Sequence, residues 1–245
     1  MSAVAIITGA ANGIGRAVSL RLADLGFSIE LVDMEKKNAE AVKAEILARG
    51  SKAEVHVVDI TNARQVKAVV DSIIAHHGRI DVLANIAGGT AYLKRIEELT
   101  WEEWKEEVDR NLKGTFLFCR EVSPVMVRHG GGRIVNTSSN YGLSGCALRA
   151  PYAAAKAAII GFSKSLALEL APSRVLVNVI APGPTDTPRV VAKSTPAARQ
   201  RWAELIPMGR TAQPDEIAEG VAFLVGPESS YMTGQTLHIN GGLVM

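Results

Sequence analysis

The apolar run Val4-Ala5-Ile6-Ile7 passes into Thr8-Gly9-Ala10-Ala11-Asn12-Gly13-Ile14-Gly15, then into ten residues without Gly or Pro before Gly26. No other stretch constrains the fold as much. Consecutive apolar residues, mostly β-branched, predict a short buried strand. The glycines predict a tight turn, and the segment to about Leu25 predicts a helix. A glycine-rich turn lets the backbone approach a pyrophosphate, and the free N–H groups of the helix face its charge. Gly9, Asn12, Gly13, Ile14 and Gly15 are therefore expected to cradle a dinucleotide. Their spacing is Gly-x-x-x-Gly-x-Gly rather than the commoner Gly-x-Gly-x-x-Gly.

Ser28 to Val32 predicts a second strand, and Asp33 closes it 18 residues beyond Gly15. A carboxylate there bonds the adenosine ribose hydroxyls and repels a 2′-phosphate, which favours NAD(H) over NADP(H). Lys36 and Lys37 follow closely, but a solvated helix start accounts for them as well. Further strands are expected at Ala53–Val58, Ile80–Ala84, Arg133–Thr137, Arg174–Ile180 and Gln235–Ile239. Helices are expected between them, among them Lys36–Arg49, one ending at His76-His77, one capped by Thr100 and Glu103, and Pro214–Val225. His76 and His77 suit a helix C-terminus, and Trp101 and Trp104 read as packing residues. Thr185 to Pro207 has weak periodicity and reads as a substrate loop or lid, about 185–208. The alternation predicts a single-domain α/β fold over 1–245, a Rossmann-type doubly wound parallel sheet of about seven strands with helices on both faces.

A net charge of +2 is too small to argue for a nucleic-acid or membrane partner. No apolar run approaches the ~20 residues that span a bilayer, and the N-terminus shows no signal-peptide pattern, so a cytoplasmic protein is expected. Cys119 and Cys146 are the only cysteines, neither in a Cys/His cluster, so no metal site is expected.

Tyr152-Ala153-Ala154-Ala155-Lys156 places a phenol and an ammonium one helical turn apart. Tyr titrates near ~10 in water, and a neighbouring cation lowers that value toward the range of a working acid or base. Alone, such a pair also reads as a solvated helix face.

With these residues in hand, the chain resembles the short-chain dehydrogenase/reductase family over essentially its full length. Thr8 to Gly15 resembles the family's TGxxxGxG motif. Asp59, with Ile60, resembles the acidic position near the adenine ring. Asn85-Ile86-Ala87-Gly88 resembles the family's Asn-Asn-Ala-Gly segment, with Ile86 in place of the second Asn. The resemblance implies a catalytic tetrad of Asn111, Ser139, Tyr152 and Lys156. Ser138 is a rival for Ser139, but Ser139 lies 13 residues before Tyr152, the spacing typical of the family. Pro182, Gly183, Thr185 and Thr187 resemble the segment that holds the nicotinamide carboxamide. Tyr152 would exchange the substrate proton, Lys156 would lower its pKa and bond the nicotinamide ribose, Ser139 would steady the substrate oxygen, and Asn111 would hold a water leading to solvent. Substrate contacts are expected from Ser139 and from Tyr141 as pocket wall; Arg149 and Arg189 either meet an anionic substrate or lie on the surface.

The implied function is an NAD(H)-dependent interconversion of a secondary alcohol and a ketone. The alternative is a 3-oxoacyl-thioester (carrier-protein) reductase, a class that commonly uses NADPH and carries a basic residue where this chain has Asn12. The other readings are a silent NAD(H)-binding regulator, against which the intact tetrad argues, and a nucleotide-fold methyltransferase, in which Tyr152 and Lys156 have no role. A homotetramer is implied by the resemblance.

Overall fold

The computed structural model describes residues 2–245; Met1 of the expected 1–245 domain lies outside the described residues. Among the described residues, the strands β1 (Val4–Thr8), β2 (Ser28–Asp33), β3 (Ala53–Val57), β4 (Val82–Asn85), β5 (Gly132–Thr137), β6 (Val175–Pro182) and β7 (Thr236–Ile239) form one parallel sheet in the order β3-β2-β1-β4-β5-β6-β7. The helices are α1 (Gly13–Asp24), α2 (Lys36–Ala48), α3 (Ala63–His77), α4 (Trp101–Val108), α5 (Gly114–His129), α6 (Asn140–Ser144), α7 (Ala150–Leu170), α8 (Pro188–Lys193), α9 (Pro196–Leu205) and α10 (Pro214–Val225).

Period-two alternation divides β1 between two apolar layers. Ala5 and Ile7 pack with Leu22, Val42, Ile46 and Val221 from α1, α2 and α10. Val4 and Ile6 pack with Val70, Phe118 and Met126 from α3 and α5. Burial on both faces is why β1 reads as an unbroken apolar run. The chain runs outward from β1 to β3, then returns to β4 and runs outward the other way. That reversal opens a crevice beyond the C-terminal ends of β1 and β4, where open α/β sheets bind ligands.

Several expectations need correction. Thr185 to Pro207 is not an irregular loop: it holds α8 and α9, each with a Thr N-cap and Pro at the first turn. The side chain of Thr187 accepts from Val190 N–H, and that of Thr195 from Ala198 N–H. The short helix α6, capped by Ser139, was not anticipated. Trp101 does not pack inside the chain but is 69% exposed. His77 does more than end α3, since its Nε2 pairs with the buried Glu30 carboxylate at 2.7 Å, and His56 Nε2 meets the other oxygen at 2.6 Å. Between α4 and α5 the helix widens into a single π turn, Asp109–Lys113, which carries Asn111.

Candidate active site

The crevice is a cleft of about 1420 Å³ running from the glycine-rich turn past Tyr152 to α8 and α9. Gly9, Asn12, Gly13, Ile14 and Gly15 line one end, with Asp33, Asp59 and Ile60 beside them. Ala87, Gly88, Pro182, Gly183, Thr185 and Thr187 line the middle, and Ser139, Tyr141, Arg149, Tyr152, Lys156 and Arg189 line the far side.

Thr8 Oγ1 accepts the N–H groups of Ile86 and Ala87, both at 3.1 Å, which ties the end of β1 to the segment after β4. Gly9, at φ +68°, lies so close to that segment that a methyl group there would come within 2.8 Å of Ala87 Cα. The Asn12 side chain does not cap α1 but donates to Glu35 Oε2 at 2.9 Å, so the positive end of α1 faces the cleft. Asp33 Oδ2 accepts Ala11 N–H at 2.9 Å and Oδ1 accepts Glu35 N–H at 2.9 Å. Uncapped helix, glycine cradle and carboxylate together fit the phosphates and adenosine ribose of a dinucleotide.

Asn85 differs from expectation. Its side chain points into the interior, where Nδ2 donates to Asn136 Oδ1 at 2.9 Å and ties β4 to β5. Asn85 is therefore a sheet residue, while its neighbours Ile86 to Gly88 form the cleft wall.

At the centre, α7 brings Lys156 under the cleft floor, 2% exposed, with Nζ donating to Thr137 O at 2.8 Å. Lys156 Nζ stands 5.7 Å from the centre of the Tyr152 ring. The two serines at the end of β5 separate in role. Ser138 Oγ donates to Lys156 O at 2.7 Å and anchors α7. Ser139 Oγ accepts Tyr141 N–H at 3.2 Å, donates to Asn140 Oδ1 at 3.2 Å and stands beside the Tyr152 phenol. Asn111 is wholly buried behind the wall, with Oδ1 accepting Gly89 N–H at 2.8 Å. A methyl group on Gly88 would stand 2.7 Å from Asn111 Oδ1 and 3.3 Å from Lys156 Nζ, so only glycine leaves both in place.

The electrostatics depart from expectation in one respect. Burial pushes the Tyr152 phenol above its usual 10.0, with Ser139, Arg149 and Arg189 pulling the other way. Burial also brings Lys156 down from 10.5 to about 7. Desolvation thus outweighs the lowering that the Tyr152/Lys156 spacing alone suggests, and both groups are poised toward their neutral forms. The Arg149 guanidinium lies 5.4 Å over the Tyr141 ring, whose phenol is also raised by burial. Arg189 reaches across the cleft to Gly88 O at 3.2 Å and Thr90 O at 2.5 Å. Sequence reasoning missed Glu107, a wholly buried carboxylate behind Asn111, and the mouth residues Lys105 and Arg110. Nothing in their spacing marks them, since α4 reads as an ordinary charged helix.

The fold and cleft define a nicotinamide-nucleotide-dependent oxidoreductase. The chain belongs to the short-chain dehydrogenase/reductase family: residues 9–244 match a family model described as enoyl-(acyl carrier protein) reductase. It is 41% identical over 244 residues to the 3-oxoacyl-[acyl-carrier-protein] reductase FabG of Thermotoga maritima, covering 99% of this chain and 98% of that one. The FabG of Vibrio cholerae is 39% identical over 246 residues, covering 99% and 97%. Among solved structures, an actinorhodin polyketide ketoreductase variant with NADPH superposes with a TM-score of 0.94 at 34% identity, covering 99% of this chain and 97% of that one.

Proposed function

We propose that this protein reduces a 3-oxoacyl thioester to the 3-hydroxyacyl thioester, using NADH. The relatives carry the substrate side of this reading: full-length similarity to 3-oxoacyl-[acyl-carrier-protein] reductases favours it over a small secondary alcohol. Two hydroxyls, Tyr152 and Ser139, standing together suit one carbonyl oxygen rather than a carbon–carbon double bond. On the cofactor side, Asp33 and Glu35 line the ribose end, and no ion pair among the described residues involves either. Two carboxylates disfavour a 2′-phosphate, although the ketoreductase neighbour was solved with NADPH.

When bound, the reduced nicotinamide supplies the hydride. The chain supplies the rest. Tyr152, its phenol raised by burial, donates its proton to the carbonyl oxygen as negative charge develops there. Ser139 donates a hydrogen bond to the same oxygen. Lys156, when charged, stabilises the phenolate left behind, and Asn111 orders the polar path behind Gly88 and Gly89. The same reading includes a cytoplasmic homotetramer; the exposed apolar side chains of Ile96, Trp101, Phe116, Leu168 and Tyr231 support self-association, which light scattering would measure.

The test is turnover of acetoacetyl thioesters and of a secondary-alcohol panel, each with NAD(H) and NADP(H). Thioester reduction with NADH is expected to dominate. Turnover confined to small alcohols would favour the alcohol-dehydrogenase reading, and preference for NADPH would remove Asp33 and Glu35 as selectors.

A further inference from the structure

Glu107 is 0% exposed on α4, and none of the ion pairs among the described residues includes it. A carboxylate removed from water without a direct counter-ion is costly and needs compensation. Its Oε2 accepts Ala91 N–H at 2.8 Å, and Oε1 faces Asn111 Nδ2 at 3.5 Å. Asn111 Nδ2 also donates to Glu107 O at 2.9 Å, and Asn111 Oδ1 accepts Gly89 N–H. Glu107 therefore holds Ala91 directly and Gly89 through Asn111, and Asn111 Oδ1 and Lys156 Nζ meet at Gly88, 2.7 and 3.3 Å from where a methyl group on it would lie. The other acids of this stretch turn outward: Glu103 pairs with Lys94, Glu106 with Arg110, and Asp109 with Lys105 and Lys113. The charge of Glu107 acts on Lys156 and Tyr152 of α7, and Arg149 and Arg189 act on Tyr152 in the opposite sense to Glu107.

We propose that Glu107 is a positioning residue for the acid–base pair: it locks Asn111 and the Gly88–Ala91 segment in place and supplies a buried counter-charge that favours the ammonium form of Lys156. Resting on the assignment of Tyr152 and Lys156 above, this accounts for an ionisable side chain that the reduction itself leaves unused. Burial drives Lys156 downward, and the charge of Glu107 is the influence that opposes it.

The test follows the Lys156 proton by two readouts, the pH dependence of NADH binding to the intact enzyme and that of kcat/KM. Glu107→Gln keeps an acceptor for Ala91 N–H but removes the charge. Its midpoints are expected to fall by about one pH unit relative to the parent. A binding midpoint equal to the parent's overturns the proposal, whatever happens to kcat, because a purely structural role would lower turnover without moving a titration. If Glu107→Gln does not accumulate in folded form, Glu107→Asp withdraws the charge by one methylene, and a smaller shift in the same direction is expected. An unmoved midpoint in that variant overturns the proposal equally. Tyr152→Phe serves as the separate control: parental turnover in it would remove the tetrad reading itself, independently of where the midpoints fall.

Discussion

At the scale of single residues, Tyr152 has Ser139 beside it and Lys156 beneath it, each held by its own backbone bond. Tyr152→Phe keeps the ring and loses the proton. We expect kcat to fall by ~10²–10⁴-fold, the usual worth of a positioned general acid, while NADH affinity stays near that of the parent. Stopped-flow turnover and fluorescence titration check the two halves, and an unchanged kcat would reject the assignment. Residue-scale legibility was uneven. Tyr152 and Lys156 were readable because i,i+4 spacing is local. Family spacing favours Ser139 over Ser138, and the Ser138 hydroxyl donates to Lys156 O, a bond that spacing alone does not reveal. Asn85 was misplaced because motif position says nothing about which way a side chain turns at the end of a strand. Glu107 was invisible because burial of a helical carboxylate depends on what packs over it.

At the scale of elements, α8 and α9 lie over the cleft, and Arg189 of α8 ties them to the 88–90 segment. Arg189 is exposed, so its two bonds to carbonyls are worth ~1 kcal/mol together after solvent competition. Arg189→Ala is expected to weaken NADH binding by about fivefold and to speed proteolysis within residues 188–205. Parental rates in both assays would mean that the contact does not hold α8 in place. The helices themselves were legible in principle: Thr187-Pro188 and Thr195-Pro196 are N-cap signatures. The weak apolar periodicity of the segment masked them, since neither helix buries a residue fully. The π turn at Asn111 has no comparable sequence mark, because it follows from how α4 and α5 together meet α7.

At the scale of the whole molecule, the buried Lys156 links stability to pH. Below pH 7 the folded and unfolded chains both hold its proton, and the cost of the buried charge is fully present. Between about 7 and 10.5 the unfolded chain binds more protons, so stability rises with pH, by at most ~1.4 kcal/mol per unit for one group. Cys119, pushed up from 9.0 to about 12, and Tyr152, pushed above 10.0, act in the opposite sense only at higher pH. The free energy of urea unfolding is therefore expected to climb from pH 7 to 9 in the parent and to be flatter in Lys156→Met. Equal slopes would place the titration elsewhere.

What the sequence determined by itself was local: strand and helix periods, the glycine turn, the acid after β2 and the one-turn Tyr152/Lys156 pair, each set by neighbours within a few residues. These were enough for the parallel α/β fold and the family. The tertiary structure alone decided the strand order, which serine faces the phenol, where Asn85 points, and why the Tyr152 phenol is raised rather than lowered despite its lysine. Those outcomes depend on pairing between distant segments and on the removal of water, and desolvation belongs to the packed interior.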